Sequence, residues 1–143
     1  KELLLGMGKW LQVNGEAIYG TTPWEIAGEG PTRIVRGSGD FNEKNDLRYT
    51  GRDIRFTVKG NTLYAIVLDW PGDKLLIKSL APRWESWTGW PGLYPSEIVS
   101  ITMLGDGKEL KWEVTPKGLS VETPKTKPCD HAFAFKIVRR NPF

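Results

Sequence analysis

Three groups of residues carry side chains that could do chemistry. Cys129 and His131 are the single cysteine and single histidine of the chain. Two apart, they would share one face if that stretch is a strand. Two ligands do not make a structural zinc site, which needs four, and a Cys–His nucleophile pair needs a third group to orient it. The expectation is a half-buried cysteine and a histidine at a strand start, with no metal and no cofactor. The stretch Asp40-Phe41-Asn42-Glu43-Lys44-Asn45-Asp46 has a partial calcium-loop pattern, but Lys44 occupies a position where an oxygen ligand belongs. The 17 acidic residues fall mostly in turns or at the polar positions of strands, which marks a solvated face, so no catalytic residue is assigned. The chain has no Gly-rich phosphate loop, nucleophile elbow or dinucleotide fingerprint.

The most suggestive group is aromatic. Trp84, Trp87 and Trp90 stand at three-residue spacing, with Tyr94 just beyond, in a polar loop containing Gly89, Pro91, Gly92 and Pro95. Aromatic planes with a polar handle can stack on a sugar ring or on a protein partner. The competing expectation is that these rings fold back and cap one end of the domain.

The elements that must position these groups are mostly strands. Leu3, Leu4, Met7, Trp10 and Leu11 recur at helical spacing, and Asn14-Gly15 ends that pattern. This predicts a short helix whose stripe begins abruptly, as in a piece of a longer protein whose packing partner lies elsewhere. Residues 15–52 read as loop, with a hint of strand only at Arg33-Ile34-Val35. From Asp53 the period becomes two: Ile54, Phe56 and Val58 alternate with polar neighbours. Thr62 to Trp70 is nearly continuously apolar, as a strand covered on both faces would be.

Further strands are expected at Lys74–Leu80, Ile98–Leu104, Lys108–Thr115, Leu119–Glu122 and Ala132–Val138. Gly105-Asp106-Gly107 carries a hairpin signal between the second and third of these. In the last strand, Phe133, Phe135 and Ile137 oppose the small Ala132 and Ala134. Short strands with frequent turns describe an all-β fold, an antiparallel β-sandwich of about seven to eight strands after one N-terminal helix.

Composition sets the outer bounds. The chain has 143 residues, 39% hydrophobic and 26% charged, which suits one ordered domain. A net charge of +3 is small and scattered, because Arg33, Arg36, Lys44, Arg48, Arg52, Arg55 and Lys59 alternate with acids. That argues against nucleic acid as a partner. No apolar run approaches the ~20 residues of a membrane span. One cysteine excludes an internal disulfide.

Two stretches resemble a known family. The run Gly8-Lys9-Trp10-Leu11-Gln12-Val13-Asn14-Gly15-Glu16-Ala17-Ile18-Tyr19-Gly20-Thr21-Thr22-Pro23-Trp24 is similar to the segment that closes the catalytic barrel of family 29 glycoside hydrolases, the α-L-fucosidases. Asp53-Ile54-Arg55-Phe56-Thr57, Leu63-Tyr64-Ala65-Ile66, Ser100 to Gly105, Leu110-Lys111-Trp112 and Pro128 to Ile137 resemble their C-terminal β-sandwich domain. Thr22 stands where the family often has Arg, and the 84–94 insert is longer than typical. The resemblance implies that residues 1–20 are the terminal helix and turn of a (β/α)₈ catalytic domain, 21–52 a connector, and 53–143 the sandwich.

It further implies a retaining exo-hydrolase releasing terminal α-L-fucose, with its nucleophile and acid/base in the barrel; none of those positions matches this chain. The expected partner is the parent enzyme's own catalytic barrel, met through Leu4, Met7, Trp10, Leu11 and Trp24. The alternative is a carbohydrate-binding module that holds fucosylated glycan with Trp84, Trp87, Trp90 and Tyr94. A periplasmic, secreted or lysosomal location is implied by the same resemblance.

Overall fold

The computed structural model describes residues 2–32, 48–81 and 97–143. Helix α1 (Glu2–Asn14) runs into a 3₁₀ turn at Gly15–Ala17. Among the described residues eight strands follow: β1 (Thr22–Glu29), β2 (Ile54–Lys59), β3 (Thr62–Val67), β4 (Lys74–Ile77), β5 (Ile98–Met103), β6 (Trp112–Thr115), β7 (Gly118–Glu122) and β8 (Phe133–Arg139). They form a five-stranded sheet in the order β1-β2-β3-β8-β5 and a three-stranded sheet in the order β4-β7-β6. Every pairing is antiparallel. The β-sandwich expected from the sequence is therefore what the chain builds.

Register decides which side chains reach the core. In the β3–β8 pair Leu63 faces Ile137, Ala65 faces Phe135 and Val67 faces Phe133, all pointing between the sheets. Leu75, Ile77, Leu119 and Val121 of the smaller sheet close over them. The intervening residues Tyr64, Ile66 and Ala134 point to the opposite, outer face. All six residues of β3 are buried, so this strand has apolar cover on both sides. Period-2 alternation produces both faces from one strand.

Three details correct the sequence reading. The stretch 21–52 is not all connector, because β1 occupies Thr22–Glu29 and forms an edge of the larger sheet. Its glycine at 28 and its bulge between Pro23 and Gly28 hid the strand pattern. The hint at Arg33-Ile34-Val35 lies outside the described residues. Trp24, expected on a docking face, is instead buried in the inter-sheet core, edge-on to Phe56 with ring centroids 5.1 Å apart.

The third correction concerns the Asp106-Gly107 turn. It makes only a short hairpin, in which Thr102 bridges Glu109 and the Leu110 N–H donates to the Ile101 carbonyl at 2.8 Å. The chain then crosses to the second sheet. Strand β6 accordingly starts at Trp112, not Lys108, because Leu110, Trp112 and Val114 must pack on the core from the other side.

Candidate functional site

The region with an unmet physical requirement is the outer face of the larger sheet, where α1 sits. Ala134 is small, and Ala17 of the Gly15–Ala17 turn packs with Tyr64, Ile66 and Ala134, where it is fully buried. Thr57 Oγ1 donates to the Ala17 carbonyl at 2.6 Å. The buried Tyr64 hydroxyl donates to Glu16 Oε2 at 2.6 Å, and Lys136 Nζ meets the same oxygen at 2.7 Å. The hydrogen bonds from Lys136 and Tyr64 hold the Glu16 carboxyl below its usual pKa, with Lys59 adding a weaker attraction. Burial, then the bond to Glu16, pushes the Tyr64 hydroxyl well above its usual value. The phenol stays a donor at every physiological pH.

Further along the helix, Trp10 Nε1 donates to the Ala132 carbonyl at 2.9 Å, bridging α1 to the segment before β8. Asn14 is fully buried, and its amide donates to the Trp10 carbonyl and to Cys129 Sγ. On the N-terminal side of Trp10 the helix is bare. Leu3, Leu4 and Met7 are 78%, 73% and 55% exposed, and Leu5 is exposed beside them. Between this stripe and the sandwich runs an apolar groove of about 490 Å³, lined by Leu3, Met7, Trp10, Leu11, Ile18 and His131 among others.

The structure thus gathers Leu4, Met7, Trp10 and Leu11, four of the five expected docking residues, on one element, and removes Trp24 to the core. The aromatic set Trp84, Trp87, Trp90 and Tyr94 lies outside the described residues, as does the calcium-like stretch 40–46. Cys129 is half-buried, and burial pushes its thiol up, which makes it a poor nucleophile. His131 does not begin a strand. It stands in the left-handed region at φ 76°, and β8 starts two residues later. Among the described residues, no group of three or more His, Cys, Asp or Glu is placed to hold a metal ion.

The carboxylates with shifted acidity have structural work. Asp53 is fully buried and accepts four hydrogen bonds, from the backbone N–H and hydroxyl of Thr32 and of Thr50, at 2.7 to 2.9 Å. Burial alone would raise its pKa, but those four donors outweigh it and hold the carboxyl down at about 2. Glu29 goes the other way: burial raises it, and the Ser79 N–H bond offsets that only in part.

Comparison with known proteins decides the family. Residues 44–138 match the model of the alpha-L-fucosidase C-terminal domain. The chain belongs to that family. The fucosidase C-terminal domain found here is 34% identical over 142 residues to an alpha-L-fucosidase of Branchiostoma floridae, covering 96% of this chain and 25% of that protein. It is 35% identical over 129 residues to the tissue alpha-L-fucosidase of Homo sapiens, covering 90% and 21% respectively. Its fold aligns with a crystal structure of Thermotoga maritima alpha-fucosidase at a TM-score of 0.64 and 28% identity, over 96% of this chain and 26% of that one.

The chain therefore spans about a quarter of the length of these relatives. The family match begins at residue 44, yet β1, before it, pairs with β2 at both of its ends, Thr22-Pro23 and Gly28-Glu29, on either side of the bulge. The structural unit of this fucosidase domain is thus longer than the matched segment.

One consequence for this domain concerns pH. Glu16 has a lowered folded pKa, so its contribution is present above the ordinary carboxylate value of 4.5 and is lost as pH falls through the folded value. Its side chain is 43% exposed, which keeps the ion pair itself worth at most about 1 kcal/mol. Glu16→Gln is expected to lower the urea midpoint slightly at pH 7. Below pH 4 the difference from the unaltered protein should shrink, and an equal effect at both pH values would contradict the assignment.

Proposed function

We propose that this chain is the C-terminal portion of an α-L-fucosidase and acts without catalytic groups of its own, as a sandwich that docks on the catalytic domain and supports it. Helix α1 is the joint: its Trp10 side belongs to the sandwich and its Leu3–Leu4–Met7 side to the catalytic domain. The parent's activity in this reading is hydrolysis of terminal α-L-fucose from glycans, with the reacting groups supplied by the larger part of the protein.

The observation that carries the reading is the bare stripe of α1. Large aliphatic side chains more than half exposed on one helix face, adjoining an apolar groove, are a cost in water that a partner surface removes. The four-fold greater length of relatives that carry the fucosidase name supports a partner within the same polypeptide. Burying a leucine- or methionine-sized side chain stabilises by roughly 1.5–3 kcal/mol.

The double substitution Leu4→Asp with Met7→Asp, made in the full-length enzyme, is therefore expected to cost on the order of 3 kcal/mol or more. It should lower the melting temperature and reduce hydrolysis of an aryl α-L-fucoside. An unchanged melting temperature together with unchanged hydrolysis would refute the docking role.

A further inference from the structure

The segment that receives Trp10 has an unusual backbone. The Ala132 N–H donates to the Asp130 carbonyl at 3.0 Å, closing a three-residue turn with His131 at its apex and φ 76°. Turns of this kind with positive φ at the centre are rare and strained. Among the described residues, His131 is the one non-glycine residue with positive φ. The turn aims the Ala132 carbonyl at α1, where it accepts from both Trp10 Nε1 and Cys129 Sγ. Glycine would make the same turn without steric cost. The carbonyl geometry thus explains the turn but does not explain an imidazole at its apex.

The position of that side chain does. His131 is exposed and lines the groove, whose other lining residues Leu3, Met7, Leu11, Ile18 and Ala132 are apolar. The indole N–H of Trp10 is already engaged. His131 is thus the one lining side chain with uncommitted polar atoms, since its ring nitrogens have no hydrogen-bond partner among the described residues. A polar group covered by a partner without a hydrogen bond carries a desolvation penalty, so a covering surface must offer one opposite it. Strain retained at a binding face is a mark of pre-organised recognition.

We propose that His131 is the polar anchor that sets the register of the catalytic domain on the α1 groove. The covering surface is then apolar apart from one hydrogen-bonding group, a carboxylate or carbonyl, opposite the imidazole. The inference rests on the docking reading above and adds to it a residue and the chemistry of the partner surface.

The test is made in the full-length enzyme with His131→Gly, which keeps the backbone conformation, and His131→Asn, which tolerates positive φ and retains a donor. Leu4→Asp with Met7→Asp is measured alongside. If His131 anchors the interface, His131→Gly lowers the melting temperature by about 2 °C or more despite relieving strain. His131→Asn then falls between that variant and the unaltered enzyme. If His131 is merely a strained surface residue, His131→Gly leaves the melting temperature unchanged or raises it. That result, with the Leu4/Met7 variant still destabilised, overturns the anchor and leaves docking standing. No effect from the Leu4/Met7 variant overturns both.

Discussion

Asp53→Ala is expected to cost about 3 kcal/mol at pH 7. The carboxylate is fully buried and is the shared acceptor for two backbone N–H groups and two hydroxyls from Thr32 and Thr50. Alanine leaves all four donors without their acceptor, and each hydrogen bond to a charged group is worth more than a neutral one. Gly30, at φ 131°, packs so close to Asp53 that a side chain there would collide with the carboxylate.

The pH dependence follows from the depressed acidity. With a folded pKa of about 2 against 3.8 unfolded, the stabilisation is complete above pH 4 and is lost as pH falls toward 2. The shift corresponds to about 2 kcal/mol. Urea unfolding of the two proteins at pH 7 and pH 2.5 should show the gap narrowing by about two-thirds of that amount, because pH 2.5 still lies above the folded pKa. A gap of the same size at both pH values would mean that the charge on Asp53 is not what holds the two threonines.

Trp24→Ala is expected to be at least as damaging, about 3–5 kcal/mol, as for large aromatic residues removed from cores. Its ring is 8% exposed and stands edge-on to Phe56 and to Phe143, the latter with centroids 6.1 Å apart. The measurement distinguishes core from docking face. A core residue lowers the denaturation midpoint of residues 1–143 by themselves, whereas a docking residue shows its loss only in the longer protein. A wild-type midpoint for the 143-residue variant would return Trp24 to the docking surface.

Strands β2, β3 and β8 were legible because each carries a strict two-residue alternation or an unbroken apolar run. The opposition of Phe133, Phe135 and Ile137 to Ala134 in the sequence is the same opposition that separates inter-sheet core from outer face. Strand β1 was not legible. It is an edge strand with a bulge and with Pro23 and Gly28 inside it, so most of its side chains are exposed or half-exposed and its period is interrupted. The Asp106-Gly107 signal was real, but a local turn preference cannot say whether the strand that follows stays in the same sheet.

The candidate site divides in the same way. Leu4, Met7, Trp10 and Leu11 announce themselves as one helix face by spacing alone. Glu16, Tyr64, Lys136 and His131 do not. Tyr64 lies 48 residues from Glu16, and the Trp10–Ala132 bond spans 122. No local pattern marks such pairs.

From its residues alone this chain could be read as a Trp-rich antiparallel sandwich with a helix whose apolar stripe needs cover, because burial periodicity is a local property written every second or every third to fourth position. Only the folded molecule decided that Trp24 belongs to the core and that Asp53 ties Thr32 to Thr50. The same holds for the strained turn at His131, which faces the groove beside α1. Those outcomes depend on which strands become neighbours, and that is settled by the collective packing of two sheets rather than by any one segment's preferences.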